Sequence, residues 1–500
     1  MTGLIEFEKN SIEQAMSEVF DSYGYGKLAL DLLKSLSAVS GSIGSGVFLI
    51  GGFVRDIIIY ILKSNPKTAH IFKPSKVFKT LPASKGNFNN NFLDLDIAVE
   101  GSAERLAVEI KKDKNFKFDI NYLKIHKKFG TALAVFLIGN LPLKIDMASL
   151  RTEVYKKSGA LPEVNIGNAA FKDDILRRDF TINAVAFSIN GNDFLEVKDY
   201  AFGLSDILNK KIRVFHELSF IDDPTRMFRA VRFEKRLGFK IDRKTLKFIE
   251  IALNNNVLDN ISGKRIVSEL YLLLKEEKPE IYLERLEKLG ILRGIYAELK
   301  FDDKKKAVFK RISSFFNKSG NAGKLIEYDK NIDPNIFYMA EVFYGLESHE
   351  LDAAVGRLNL GDKIKRSLEI IYSDEEKILE LKKNKLFNLN PKNSEIYDKL
   401  KEYDIKGILF YIFENKVKNL RDLNFNKIII KYLNKLIFIM PAVGGRDLKS
   451  MGICEGPLCG KILNDIRMLK MNGMLRSKGG ELKFIKKKYI KLSSGGTKND

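Results

Sequence analysis

Apolar positions between residues 12 and 38 recur at helical spacing and stop near the Ser/Gly-rich AVSGSIGSG, after which VFLI reads as a short buried strand. A helix is predicted from Val54. Residues 64–92 are polar, basic and rich in turn formers, so they read as an inserted loop. LDLDIAV then alternates like a strand, a helix follows near 102–112, and TALAVFLI and LKIDMA make two more strand-like runs. A polar stretch at 151–170 precedes another helix and the strand NAVAFSI. From about residue 205 the pattern becomes almost wholly helical, with amphipathic segments near 224–237, 243–254, 264–276 and 280–290. The pattern predicts an α+β chain. It has a helical extension over 1–45, a mixed head over 46–205, a helical neck over 206–290 and a helical body and tail over 291–495.

Composition adds a soluble globular balance, 45% hydrophobic and 30% charged, in a chain of 500 residues that exceeds one hydrophobic core. The formal charge of +21 suggests a polyanionic partner such as RNA, although a Lys-rich background would give the same excess. Two cysteines, Cys454 and Cys459, are too few for a disulfide framework, which points to a reducing cytoplasm. The start lacks a leader pattern and no apolar run approaches the roughly 18 residues of a membrane span, so neither secretion nor insertion is expected.

Two short segments carry chemistry. Gly51-Gly52-Phe53-Val54-Arg55-Asp56 places two glycines between a strand and a helix start, where main-chain N–H groups can approach a phosphate and Arg55 can add a guanidinium. The same turn could simply reverse the chain. Asp94 and Asp96 flank Leu95, and the two-residue period of a strand puts both carboxylates on one face. A solvated strand face would look the same. Adjacent carboxylates repel, however, and paired Mg²⁺ ions remove that cost; such a pair can activate a 3′-hydroxyl and neutralise leaving pyrophosphate.

GGFVRD followed by DLD resembles the first motif of the class II tRNA nucleotidyltransferase and bacterial poly(A) polymerase family. LRRDFTINAVAF, Leu176 to Phe187, resembles that family's second motif, and DYAFGLSDILNKKIRV the segment that joins head to neck. DDPTRMFRAVRFEKRLGF, from Asp222, resembles its nucleotide-selecting helix, and ISGKRIVSELYLLL its last neck motif. GGRDLKSMGICEGPLCGKILNDI resembles the tail of CCA-type members.

The resemblance implies a polymerase-β-like nucleotidyltransferase head followed by an all-α neck, body and tail. It implies template-independent addition of CCA, or its terminal A, to tRNA from CTP and ATP with two Mg²⁺ ions. Gly51, Gly52 and Arg55 would hold the triphosphate, Asp94 and Asp96 the metal, and Arg177, Arg178, Asp179 and Asn183 the ribose and phosphates. Asp223 and Arg226 would pair with the edge of the incoming base, a contact that discriminates by roughly 1–3 kcal/mol. Arg229 and Arg232 would face the triphosphate or hold the helix; a solvated basic stripe would give the same spacing.

Asp223 before Pro224 also reads as an N-cap with Pro at the first helical position. Asp146 is either a third acidic group or a strand terminus. Arg151 and Glu153 fall where the family keeps a mobile loop, and His126 receives no chemistry. The long connection between Asp56 and Asp94, and Asp222 where the family has Glu, depart from the pattern. The rivals are a poly(A) polymerase, a CC-only enzyme and an inert RNA-binding module. His70, His126, His216 and His349 are too far apart in sequence for an appended phosphohydrolase. No obligate protein partner is inferred.

Overall fold

The computed structural model describes residues 7–72, 93–166, 169–317, 321–383, 387, 391–415, 420–453 and 455–490. Two compact units emerge, residues 1–273 with 281–300, and residues 274–280 with 301–500.

The first unit opens with α1 (Lys9–Ser22) and α2 (Leu28–Ser42), where continuous apolar spacing predicts one helix. Gly24 and Gly26 divide them, at φ +83° and +59°, a region that glycine enters without steric cost. Chain order then runs β1 (Val47–Ile50), α3 (Gly52–Ser64), β2 (Asp94–Val99), α4 (Ala103–Lys112), β3 (Ile120–His126), β4 (Thr131–Ile138) and β5 (Leu141–Ser149). A hairpin of β6 (Arg151–Val154) and β7 (Glu163–Ile166), α5 (Phe171–Leu176), β8 (Ala186–Ser188) and β9 (Val197–Lys198) follow. The main sheet has seven strands in the order β3-β4-β5-β2-β1-β8-β9. Within this sheet, among the described residues, β2 and β5 pair in parallel and the other neighbours antiparallel.

Alternation gives this sheet two unlike faces. Leu49, Leu95, Ile97 and Ile145 are buried on one, under α3 and α4. On the other, Phe48, Ile50 and Ala98 form a core with Phe171 and Ile175 of α5. The acidic pair occupies this second face, next to that core.

The inserted loop is pinned at both ends. Phe72 is buried, with the Lys210 ammonium 5.0 Å from its ring centre, and Lys210 also donates to the Ile71 carbonyl. At the far end Leu93 is buried and its amide donates to the Tyr25 hydroxyl at 3.3 Å. Residues 73–92 of the inserted loop lie outside the described residues.

Beyond the sheet come α6 (Gly203–Leu208), β10 (Lys211–Ile212), α7 (Ser219–Asp222), α8 (Thr225–Leu237), β11 (Lys240–Ile241), α9 (Arg243–Asn254), α10 (Gly263–Leu274), α11 (Pro279–Lys288) and α12 (Ile291–Ile295). The second unit is helical. It includes α13 (Asp303–Asn317), α14 (Asn321–Tyr328), α15 (Pro334–Phe343), α16 (Ser348–Leu358), α17 (Asp362–Leu381), α18 (Asn393–Leu400) and α19 (Ile405–Glu414), of which α13, α15, α17 and α19 pack on one another. Phe337 and Phe413 meet edge to face there, ring centres 5.3 Å apart. The fully buried Glu341 lies in the same unit. Among the described residues no helix is long and apolar enough to cross a membrane.

Candidate active site

Asp94 and Asp96 stand on the open side of β2 while Leu95 and Ile97 are buried beneath it. The parallel register sets Asp96 beside Asp146 of β5 and Asp94 beside Lys144. The Lys144 ammonium lies 3.1 Å from Asp94 Oδ2 and 2.5 Å from Asp146 Oδ2. Asp146 therefore belongs to the acidic group rather than merely ending a strand.

Gly51 approaches the same group from β1. Its φ is +90°, and a methyl placed on it would lie 2.9 Å from Asp96 Oδ2. Glycine is required twice over, by conformation and by space. Desolvation by burial, followed by the Asp94 charge, pushes the Asp96 carboxyl up to about 6. Among the described residues no three His, Cys, Asp or Glu side chains converge as a ready ligand set. The oxygen-only donors of Asp94 and Asp96 nevertheless fit a hard divalent cation, which would relieve the repulsion that raises Asp96.

Residues distant in sequence join in one buried chain of hydrogen bonds. Arg55 is 3% exposed. It donates to Asp56 Oδ1 at 2.8 Å and to Asn183 Oδ1 at 2.7 Å. Asn183 donates to Asp179 Oδ1 at 3.0 Å, and Arg229 grips Asp179 Oδ2 at 2.9 and 2.5 Å. Burial would raise the Asp179 carboxyl, but the Arg229 charge and the hydrogen bonds from Asn183, Arg229 and the Phe180 amide hold it below its ordinary value. The guanidinium carbons of Arg55, Arg229 and Arg232 lie 5.1, 5.7 and 5.7 Å from the centre of the Phe233 ring. Arg55, expected from the sequence to hold the triphosphate, is here buried and engaged by Asp56 and Asn183.

Arg177 lies between Asp174 and Glu153, donating to them at 2.5 and 2.9 Å, and Arg178 reaches Asp174 at 3.0 Å. Glu153 also receives Arg151 at 2.9 Å and the Tyr155 hydroxyl at 3.1 Å. The polar stretch that hides the β6–β7 hairpin is therefore a hub that fixes Arg177. The family resemblance singled out Arg151 and Glu153, but the sequence gave no sign of their partners.

Pro224 flanks α8, whose first helical residue is Thr225, one residue later than the sequence suggests. The capping role of Asp223 stands: its Oδ1 accepts from the Thr225 amide at 3.1 Å and the Thr225 hydroxyl at 2.6 Å. It also accepts from Arg265 at 2.7 Å, a residue that sequence reasoning did not single out. Arg265 reaches the Gly159 carbonyl of the hairpin connection at 2.8 Å. Ser158 donates to the Ile221 carbonyl at 2.8 Å, and the Gly159 amide to that of Asp222 at 3.3 Å. Arg226 is 5% exposed. One of its terminal nitrogens donates to the Arg177 carbonyl at 2.9 Å, while the other is buried without a hydrogen-bond partner among the described residues. A base edge could satisfy it.

Residues 47–213 match the poly A polymerase head domain, and residues 238–302 match a probable RNA and SrmB-binding site of polymerase A. A Geobacter sulfurreducens protein described as an A-adding tRNA nucleotidyltransferase is 30% identical over 91% of this chain and 46% of its own length. One from Halalkalibacterium halodurans with the same description is 26% identical over 91% of this chain and 92% of its own. The solved complex of a CCA-adding enzyme with ATP superposes with a TM-score of 0.66 at 23% identity, covering 96% of this chain and 98% of that one. The chain thus spans about half the length of the first relative and nearly all of the second.

Proposed function

We propose that this chain, whose residues 47–213 match the poly A polymerase head domain and which is similar to A-adding tRNA nucleotidyltransferases, adds the terminal A to tRNA 3′ ends. The observation that carries the proposal is the acidic group itself: Asp94 and Asp96 side by side on β2, with the Gly51 backbone pressed against Asp96. The two relatives aligned along 91% of the chain are both described as A-adding, which favours this specificity. Structurally similar complexes hold ATP in one case and CTP in another, so they do not separate the two nucleotides.

In this reading Asp94 and Asp96 would hold Mg²⁺, which would supply charge neutralisation for the triphosphate and acidify the attacking hydroxyl. The tRNA 3′-oxygen forms a bond to the α-phosphorus as the bond to the bridging oxygen breaks and pyrophosphate leaves. Asp146, beside Asp96, is available to take the hydroxyl proton. Gly51 and Gly52 let the backbone approach the triphosphate. Arg177, Arg178 and Arg232 add positive charge near it. Arg55, Asn183, Asp179 and Arg229 serve as a frame that fixes the Gly-Gly turn to the selecting helix. Asp223 and the unpartnered nitrogen of Arg226 read the base, because a carboxylate accepts from an exocyclic amino group and a guanidinium donates to a ring acceptor. A cytoplasmic setting follows from this role.

Addition of all of CCA is the second reading, favoured by the likeness to a CCA-adding structure over 96% of the chain. Single-nucleotide incorporation onto tRNA transcripts ending at the discriminator base, after one C and after two separates them. A addition on the CC-ended transcript alone, lost in Asp94→Ala, is the expected result. Stepwise C, C and A would establish the second reading, and no incorporation on any transcript would overturn both.

A further inference from the structure

On paired strands, register partners project to the same face. From Asp96 one row crosses the sheet through Asp146 and Leu133 to Lys124. From Asp94 a parallel row passes through Lys144 and Val135 to Tyr122. The reverse face of β4 and β5 is sealed, with Ala134, Phe136 and Ile145 at 1% exposure or less. The carboxylate face stays open: Tyr122 is 48% exposed, Lys124 and His126 are exposed, and Leu133 and Val135 are half-buried. Three strand spacings of about 4.8 Å put Lys124 roughly 14 Å from Asp96.

We infer that this open face of β5, β4 and β3 is the platform on which the single-stranded 3′ end of the acceptor RNA lies as it reaches the carboxylates. The inference rests on the nucleotidyl-transfer reading above and names the substrate's path through that site. Two features select a polynucleotide over other occupants. An aromatic and aliphatic strip receives base faces, as open sheets do when they bind single strands, and Lys124 and Lys144 stand where phosphates would cross. The strip also runs unbroken into the acidic pair, so a strand lying on it presents its terminal hydroxyl where chemistry needs it. Sequence reasoning left His126 without a role and missed β3; here the exposed His126 ends the row of Tyr122 and Lys124 along the platform's edge.

The test uses the full chain, ATP and a tRNA transcript ending in CC. Tyr122→Ala and Lys124→Glu each raise KM for the transcript by about tenfold and leave KM for ATP unchanged, with thermal unfolding unaltered at these exposed positions. A photoreactive base at the terminal C of the transcript crosslinks to a peptide from β3 or β4. Transcript affinity measured without nucleotide falls in the same variants, a readout that survives even if the unaltered chain incorporates nothing. Unchanged transcript affinity and KM in both variants overturn the inference. So does conversion of a dimer to a monomer by Tyr122→Ala without a change in transcript affinity, which would assign the face to a second copy of the chain.

Discussion

Gly51 has to satisfy two demands at once, a left-handed backbone and contact with Asp96 Oδ2. Gly51→Ala meets neither. It is expected to cost about 1–2 kcal/mol from the backbone alone and to push Asp96 aside, so that thermal unfolding shifts down and kcat falls more than KM. Asp179 has a different burden, since it neutralises Arg229 and orients Asn183 beneath Arg55. Removing it as Asp179→Ala leaves a guanidinium largely buried and unpaired. We expect a loss of about 3 kcal/mol in urea unfolding, and little recovery in Asp179→Asn, which keeps the shape without the charge. The Gly-Gly turn after a strand and the Asp-Leu-Asp strand were legible in the sequence, because both are local patterns. What they touch was not legible: the Arg55–Asn183 hydrogen bond joins positions 128 residues apart, and no spacing rule encodes it.

Among elements, β2, β4 and β5 were readable because each buries every second side chain. The edge strand β3 escaped because its inward positions, Leu123 and Ile125, are only half-buried and a bulge interrupts its pairing near Ile120. Polarity concealed the β6–β7 hairpin, whose partners are ions rather than a core. The connection of that hairpin and the start of α8 meet at one side chain, Arg265, which holds both the Gly159 carbonyl and the Asp223 carboxylate. Arg265→Ala frees the two together. The expected outcome is a roughly tenfold rise in misincorporation, read as competition between ATP and the other three triphosphates on one transcript. A stability loss of about 1–2 kcal/mol accompanies it. Arg265→Lys restores the stability more than the accuracy, since an ammonium cannot span both acceptors in one plane.

At the level of the whole molecule, positive charge reaches into the acidic group itself, where Lys144 lies between Asp94 and Asp146. The helical unit carries its own electrostatic signature. Burial, then the adjacent Glu414, pushes Glu341 from its ordinary 4.5 up to about 10, and neither of its oxygens receives a hydrogen bond from another group among the described residues. The folded chain keeps a proton that the unfolded chain releases above pH 4.5, so this contribution to stability is complete below that pH and declines as pH rises toward 10. Lys305, pushed down by burial, opposes the decline as pH approaches its ordinary 10.5. Glu341→Gln is therefore expected to flatten the pH dependence of urea unfolding between about pH 5 and pH 8, with its advantage growing toward the higher value.

The pins at Phe72 and Leu93 have a consequence for the history of the molecule. With both ends of the intervening chain anchored to the fold, each doubling of its length costs only about 0.6 kcal/mol of closure entropy. The carboxylates begin just past the second pin, at Asp94, and do not register how much chain was spent in reaching it. Lineages can lengthen, trim or replace that stretch without retuning the catalytic edge, and an engineer could splice a reporter into it on the same terms.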